Sequence, residues 1–132
     1  MAWRGGVLLV GDLAALTAFS LIGRGSHGLT LSTADVARTG LPFAAAWLAV
    51  NLVTGGFRNR THAPAPGTAA LEVVQRYLAA GPLALVGRSF WLDRPVVASF
   101  AAVALSTSLA LLVIWRAAYA WWCAHRRPDA VR

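Results

Sequence analysis

The sequence predicts an all-α fold, an integral membrane bundle of four transmembrane helices in a single domain. Four apolar stretches, each closed by arginine, cover residues 7–22, 41–57, 69–86 and 96–115. The last has 20 uncharged residues, which span a bilayer core of about 30 Å at about 1.5 Å per residue. Of the 132 residues 58% are hydrophobic and 13% are charged, against about 25% charged in soluble domains. A soluble chain this small could not bury so much apolar surface, whereas lipid solvates it.

The first predicted helix contains one acidic residue, Asp12. A central aspartate costs about 2.5–3.5 kcal/mol on insertion, and the apolar residues of the same helix return a comparable amount. The helix should therefore insert, with Asp12 facing protein and not lipid. Asp12 and the lack of a small-residue cleavage site also argue against a cleaved signal peptide.

The connection to the second helix contains Ser32 and Asp35, whose spacing is typical of a helix cap. It predicts a short surface helix near residues 33–39. Pro42 then fits the first turn of helix two, where its missing N–H does no harm. Asn51 is the only strongly polar side chain of that helix, and we expect it to hydrogen-bond to a neighbouring helix.

The third helix leaves two alternatives open, because Glu72 and Arg76 precede an apolar segment that Pro82 interrupts. The segment could span the membrane, or lie at the interface and enter partway. Counting arginines separates the two. With four spans, the side of both termini and of residues 58–67 has six arginines, and the other side has four: Arg4, Arg58, Arg60, Arg126, Arg127 and Arg132 against Arg24, Arg38, Arg88 and Arg94. We therefore predict four spans in the plasma membrane, with both termini cytoplasmic.

The fourth helix begins after Pro95 and presents small residues at every fourth position. We name this set the α4 ridge: Ala98, Ala102, Ser106 and Ala110. In lipid, helices associate by close contact between small residues, so the ridge predicts a packing surface. A polar C-terminal tail is predicted over residues 123–132.

An intramembrane charge cluster is the first candidate site: Asp12, Glu72, Arg76 and Arg116. Asp12 and Arg76 should lie at similar depth, so we expect them to pair, with Arg116 as a further candidate. A local pair of Glu72 with Arg76 is equally plausible. The functional interpretation is a proton or ion relay, or a counter-charge for a substrate. We favour the structural one, a clasp from helix one to helix three.

A second candidate is a basic rim on the outer side: Arg24, His27, Arg88 and Arg94. Arginine binds phosphate and carboxylate in a bidentate manner, so the rim could collect an anionic ligand. Arginines at helix ends more commonly contact lipid phosphates, and we favour that interpretation.

Several functions are disfavoured by composition. All 12 basic residues are arginines, and the net charge is +7, but they lie at the ends of apolar runs, so we predict no nucleic-acid partner. The single Cys123 permits no internal disulfide, and no metal-ligand spacing occurs. All three histidines lie outside the apolar runs, which argues against haem. Because no catalytic constellation is evident, we expect neither cofactor nor enzymatic activity.

The order of residues resembles an uncharacterised family of small bacterial and archaeal membrane proteins, domain of unknown function 3054. The resemblance covers about Val7 to Tyr119. Its most specific part is Gly23-Arg24-x-Ser26-His27-Gly28. Further parts are Asp12, Leu41-Pro42-Phe43 with Trp47, Gly81-Pro82-Leu83, Gly87-Arg88, Ser99-Phe100 and Trp115-Arg116. The resemblance implies a membrane location and four helices, and it implies no known activity.

These observations lead to a non-enzymatic membrane protein whose partner is the lipid bilayer. The most concrete hypothesis is permeation or transport of a small solute or ion. A single four-helix bundle fills its own core, so this hypothesis requires a homo-oligomer, formed along the α4 ridge. The alternative is a structural or partner-binding subunit of a larger membrane complex.

Overall fold

The computed structural model describes residues 3–126 and consists there of helices and their connections, without strands. The helices are α1 (Trp3–Ser26), α2 (Thr33–Thr54), α3 (Pro66–Leu92) and α4 (Ala98–His125). Each is long and apolar enough to cross a membrane. With 22–28 residues each, they measure about 33–42 Å. The predicted all-α class with four membrane-spanning helices is confirmed.

The helices form a ring in which each contacts its two chain neighbours and α4 closes against α1. In the part of the chain that the structure describes, α1 does not contact α3 and α2 does not contact α4. The core is formed by side chains from all four helices: Leu16, Phe19, Phe43, Trp47, Val73, Tyr77, Ala84, Ala104 and Leu112. Large apolar side chains cover the outside, with Val53 87% and Phe90 84% exposed. Such an apolar exterior matches a lipid environment.

Helix α2 is one continuous helix, so the predicted short surface helix near 33–39 is its first two turns. The predicted cap is present, because the backbone N–H of Asp35 donates to Ser32 Oγ at 3.2 Å. Pro42 lies inside the helix and not in its first turn. A Cβ on Gly40 would lie 2.5 Å from Ser20 Oγ of α1. This close packing against α1 holds the helix through the Gly-Leu-Pro sequence, where local preference predicts a boundary.

Helix α3 begins with Pro66 in its first turn and continues through Pro82 to Leu92. It packs against both α2 and α4. Its length and packing agree with the spanning alternative and not with a segment lying at the interface.

Helix α4 extends ten residues beyond the predicted end at Trp115, to His125. Residues 123–125 of the predicted polar tail are therefore helical, and residues 127–132 lie outside the described residues. The α4 ridge faces away from the bundle, since all four of its residues are exposed. The inward face of α4 consists instead of Ala104, Ser108, Leu112 and Arg116.

Gly5 provides a test of how α1 meets the α2–α3 connection. It is buried, and a Cβ there would collide with the carbonyl oxygen of Phe57, a backbone atom. The neighbouring Gly6 is exposed with nothing within 4 Å of a Cβ. We expect Gly5→Ala to lower the free energy of unfolding by about 1–3 kcal/mol, and Gly6→Ala to change it by less than about 0.5 kcal/mol. Thermal unfolding in dodecyl maltoside micelles measures both, and equal midpoints would contradict this packing.

Candidate functional site

Asp12 of α1 and Arg116 of α4 form a buried bidentate ion pair. Arg116 Nε donates to Asp12 Oδ1 at 2.9 Å, and Arg116 Nη2 donates to Asp12 Oδ2 at 2.5 Å. Asp12 is 0% exposed and Arg116 is 7% exposed. Two parallel charge-assisted hydrogen bonds are the strongest geometry available to this pair of groups.

Two residues of α2 complete the arrangement. Trp47 Nε1 donates to Asp12 Oδ2 at 2.7 Å. Asn51 Oδ1 lies 3.5 Å from Arg116 Nη2, and Asn51 Nδ2 donates to the Trp47 carbonyl oxygen at 2.8 Å. Arg116 Nη1 also donates to the carbonyl oxygen of Gly56 at 3.3 Å. We call Asp12, Trp47, Asn51 and Arg116 the clasp, because they join α1, α2 and α4 through groups that satisfy one another.

Small residues next to the clasp permit its short distances. A Cβ on Gly11 would collide with the indole of Trp115, so α1 and α4 approach closely where Asp12 and Arg116 follow. A Cβ on Gly56 would collide with the side-chain oxygen of Asn51. Trp47 and Asn51 are four residues apart and therefore lie on the same face of α2.

The predicted pair of Asp12 with Arg76 is wrong. Arg76 lies on α3, which is diagonal to α1 in the ring, so similar depth does not bring the two residues together. Arg76 Nη1 instead donates to Glu72 Oε2 at 3.2 Å, and Arg76 Nε donates to Thr54 Oγ1 at 3.0 Å. The local Glu72–Arg76 alternative is therefore confirmed, and the clasp joins α1 to α4 and α2, not to α3.

A cavity opens at the end of the bundle where α1 and α3 begin and α2 and α4 end. We call it the basic cavity; it has a volume of about 50 Å³. Its polar lining residues are Arg4, Arg58, Arg60, His62, Glu72, Arg116 and Tyr119. Four arginines against one glutamate leave an excess of three positive charges. Arg116 is itself one of the lining residues, so the cavity reaches the clasp.

Contacts between distant segments build this cavity. Arg4 Nη1 donates to the Arg60 carbonyl oxygen at 3.1 Å, and the Gly5 N–H donates to Asn59 Oδ1 at 2.9 Å. Arg60 Nη1 donates to Glu72 Oε1 at 2.7 Å. From the sequence, Arg4, Arg58 and Arg60 are expected only to set the topology. No residue spacing indicates the cavity, because its lining residues are up to 116 positions apart.

The structure does not assemble the outer rim into one site. Arg24 contacts the α1–α2 connection, with Nε donating to the Thr30 carbonyl oxygen at 2.7 Å. Arg88 lies over the Phe100 ring at 4.1 Å, and His27 and Arg94 are exposed. Among residues 3–126, no hydrogen bond or ion pair joins Arg24 or His27 to Arg88 or Arg94.

Asn51 makes the contact between helices that the sequence predicted, whereas the four residues of the α4 ridge are exposed. Within the described range, no group of three or more His, Cys, Asp or Glu side chains is arranged to hold a metal ion.

The family model of a protein of unknown function, DUF3054, matches residues 9–119. The chain belongs to this family. The resemblance stated from the sequence is thereby confirmed, and the whole clasp lies within the matched family region, whereas Arg4 precedes it. Neither a curated protein nor a solved structure matches the chain.

The clasp predicts a large and specific loss of stability in Asp12→Asn. Removing one partner leaves Arg116 buried without a counter-charge, which costs about 3–5 kcal/mol. Arg116→Gln should cost a similar amount, and the double variant should cost less than the sum, with a coupling of about 0.5–3 kcal/mol. Unfolding in mixed micelles by titration with dodecyl sulfate measures these free energies.

The matched control is the pair Glu72→Gln and Arg76→Gln, which removes another carboxylate and guanidinium at partly exposed positions. Each should cost about 1 kcal/mol or less. Equal losses at the two pairs would contradict a special role for the clasp.

Proposed function

We propose that this chain is the subunit of an oligomeric membrane protein that allows a small solute or ion to permeate or be transported. The observation that supports the proposal is the basic cavity. It is a cavity with charged and apolar lining residues that enters the bundle from one end and reaches Arg116. Charged side chains inside a membrane protein cost free energy, and they commonly mark the pathways of solutes and ions.

The route across the membrane requires more than one copy. Beyond the clasp, the interior of the bundle is occupied by packed side chains such as Phe19, Phe43 and Leu112. A filled four-helix core leaves no aqueous path. The exposed α4 ridge supports close approach between copies, because small residues allow helix backbones to come together in lipid.

The orientation follows from the arginine distribution of the sequence. The end with the basic cavity is on the side that has six of the ten arginines compared between the two sides. We therefore propose that the protein lies in the plasma membrane with this end and both termini facing the cytoplasm. The solute would then enter the cavity from, or leave it to, the cytoplasm.

A structural or partner-binding subunit is the second candidate, and the clasp favours it. Both oxygens of Asp12 are hydrogen-bonded and the side chain is fully buried. A carboxylate so occupied holds helices together and is not free to relay protons. Under this alternative, the exposed apolar faces contact another protein. Neither candidate assigns an enzymatic activity to the chain.

Crosslinking through the α4 ridge tests the assembly. In a Cys123→Ser background, Ser106→Cys should form disulfide-linked dimers when membranes are oxidised, because the ridge brings two copies together. Leu83→Cys on α3 is the matched control, since it is exposed and at a similar distance from the same end of the bundle. A strictly monomeric Ser106→Cys protein in lipid would contradict the proposal.

Flux through reconstituted vesicles tests the activity itself. Proteoliposomes loaded with rubidium, chloride, phosphate or acetate should release at least one of these ions faster than protein-free vesicles. Ser106→Trp should prevent assembly and abolish that release, whereas Leu83→Trp should retain it. Release of none of the four ions by an assembled wild-type protein would favour the structural subunit.

A further inference from the structure

We propose that the basic cavity is a binding site for a small phosphate-type oxyanion. Resting on the function proposed above, this inference names the class of solute that the cavity accepts. The ligand group would be held by the guanidinium groups of Arg4 and Arg58 and by the hydroxyl of Tyr119, beside the Arg116 end of the clasp.

Some arginines of the cavity have a carboxylate partner and others have none. Glu72 is shared between Arg60 and Arg76, and Asp12 is taken by Arg116. Within residues 3–126, neither Arg4 nor Arg58 has a carboxylate within 4.0 Å. Asp12 and Arg76 do not line the cavity but pair with the lining residues Arg116 and Glu72, and including their charges of −1 and +1 leaves the excess at three. The excess of three positive charges therefore attracts an anion and repels a cation.

Tyr119 provides an independent indication. It lines the cavity and is only 9% exposed, yet its buried hydroxyl makes no hydrogen bond within the described structure. Its nearby polar side chains are Arg4 and Cys123, each close enough to interact with the hydroxyl by side-chain hydrogen bonding as well as by charge. Its ring is fixed between Trp115 and Trp122, with ring centroids 5.5 and 6.2 Å away. Buried hydroxyls nearly always have a partner, and a hydroxyl held in place beside guanidinium groups that have no carboxylate partner matches the donor set of an oxyanion site.

The size of the cavity limits the ligand. One water molecule occupies about 10–15 Å³ of cavity volume, so a cavity of about 50 Å³ has room for roughly four waters. Displacing them admits one phosphate-sized group and not a nucleotide. The group could be free phosphate or the headgroup of a phospholipid, since the cavity opens at the end of the bundle where headgroups lie. Both present the same tetrahedral oxyanion.

Equilibrium dialysis of the full-length protein in dodecyl maltoside tests the site without a bilayer. The probes are radiolabelled inorganic phosphate and dihexanoyl phosphatidic acid. The buffer contains about 100 mM sodium chloride, which screens long-range attraction between exposed charges. We expect saturable binding of one molecule per chain. Binding of both probes indicates a site for free phosphate, and binding of phosphatidic acid alone indicates a lipid headgroup site. Either result supports the proposal, and binding of neither overturns it.

Variants locate the binding. Tyr119→Phe keeps the stacked ring and loses only the hydroxyl, so it should weaken binding about two- to tenfold. Arg58→Gln removes an exposed guanidinium and should weaken it about ten- to hundredfold. The matched control is Arg126→Gln, which makes the same charge change at the same end but outside the cavity lining. Equal weakening in Arg126→Gln and Arg58→Gln would show nonspecific attraction and overturn the proposal.

The binding and flux measurements separate the two proposals. Saturable phosphate binding with no flux of any ion leaves the oxyanion site standing and overturns transport. Flux of another ion without binding of either phosphate probe overturns the oxyanion site alone.

Discussion

An aspartate cannot enter a bilayer at low cost unless the chain supplies its partner, and this requirement determines how the four helices are rotated. Asp12 is fully buried and both its oxygens are occupied, by Arg116 of α4 and by Trp47 of α2. The insertion cost of about 2.5–3.5 kcal/mol is thereby compensated inside the protein. Each partner fixes the rotation of one helix about its own axis, because α4 must turn Arg116 toward Asp12 and α2 must turn Trp47 toward Asp12. Gly11 allows this by letting Trp115 lie against α1.

The basic cavity is a consequence of the same arrangement. Arg116 turns one edge of its guanidinium toward Asp12 and the remaining nitrogen toward the Gly56 carbonyl oxygen. The connection that follows Gly56 folds back over the bundle end, where Asn59 accepts from the Gly5 N–H. This brings Arg58 and Arg60 beside Arg4 and above Arg116. Charged side chains are tolerated here because they hydrogen-bond to one another and the cavity opens at the end of the bundle.

Much of the fold, and less of the site, could be predicted from the sequence. Apolar length and arginine spacing fix the number of spans, because they depend only on the thickness of the bilayer. Depth alone suggested Arg76 as the partner of Asp12, but partner choice also depends on which helices are adjacent, and α1 and α3 are diagonal. Pro42 suggested a helix start, yet tertiary packing at Gly40 overrides that preference. The cavity could not be predicted, because Arg4 and Arg58 meet only through the closed ring.

Helix α4 connects the inside of the bundle with its outside. Its inward residues, from Ala104 to Arg116, recur every four positions, and so do the outward residues of the α4 ridge. The two series are offset by two positions, or about 200° around the helix, so they face opposite directions. The inward series ends in the clasp, where Arg116 and Asp12 neutralise each other's charge. The outward series consists of exposed residues that take no part in the clasp. Since helices in lipid associate mainly by close contact of small residues, this is the face of α4 suited to contact with another helix, and such a contact would not touch the clasp.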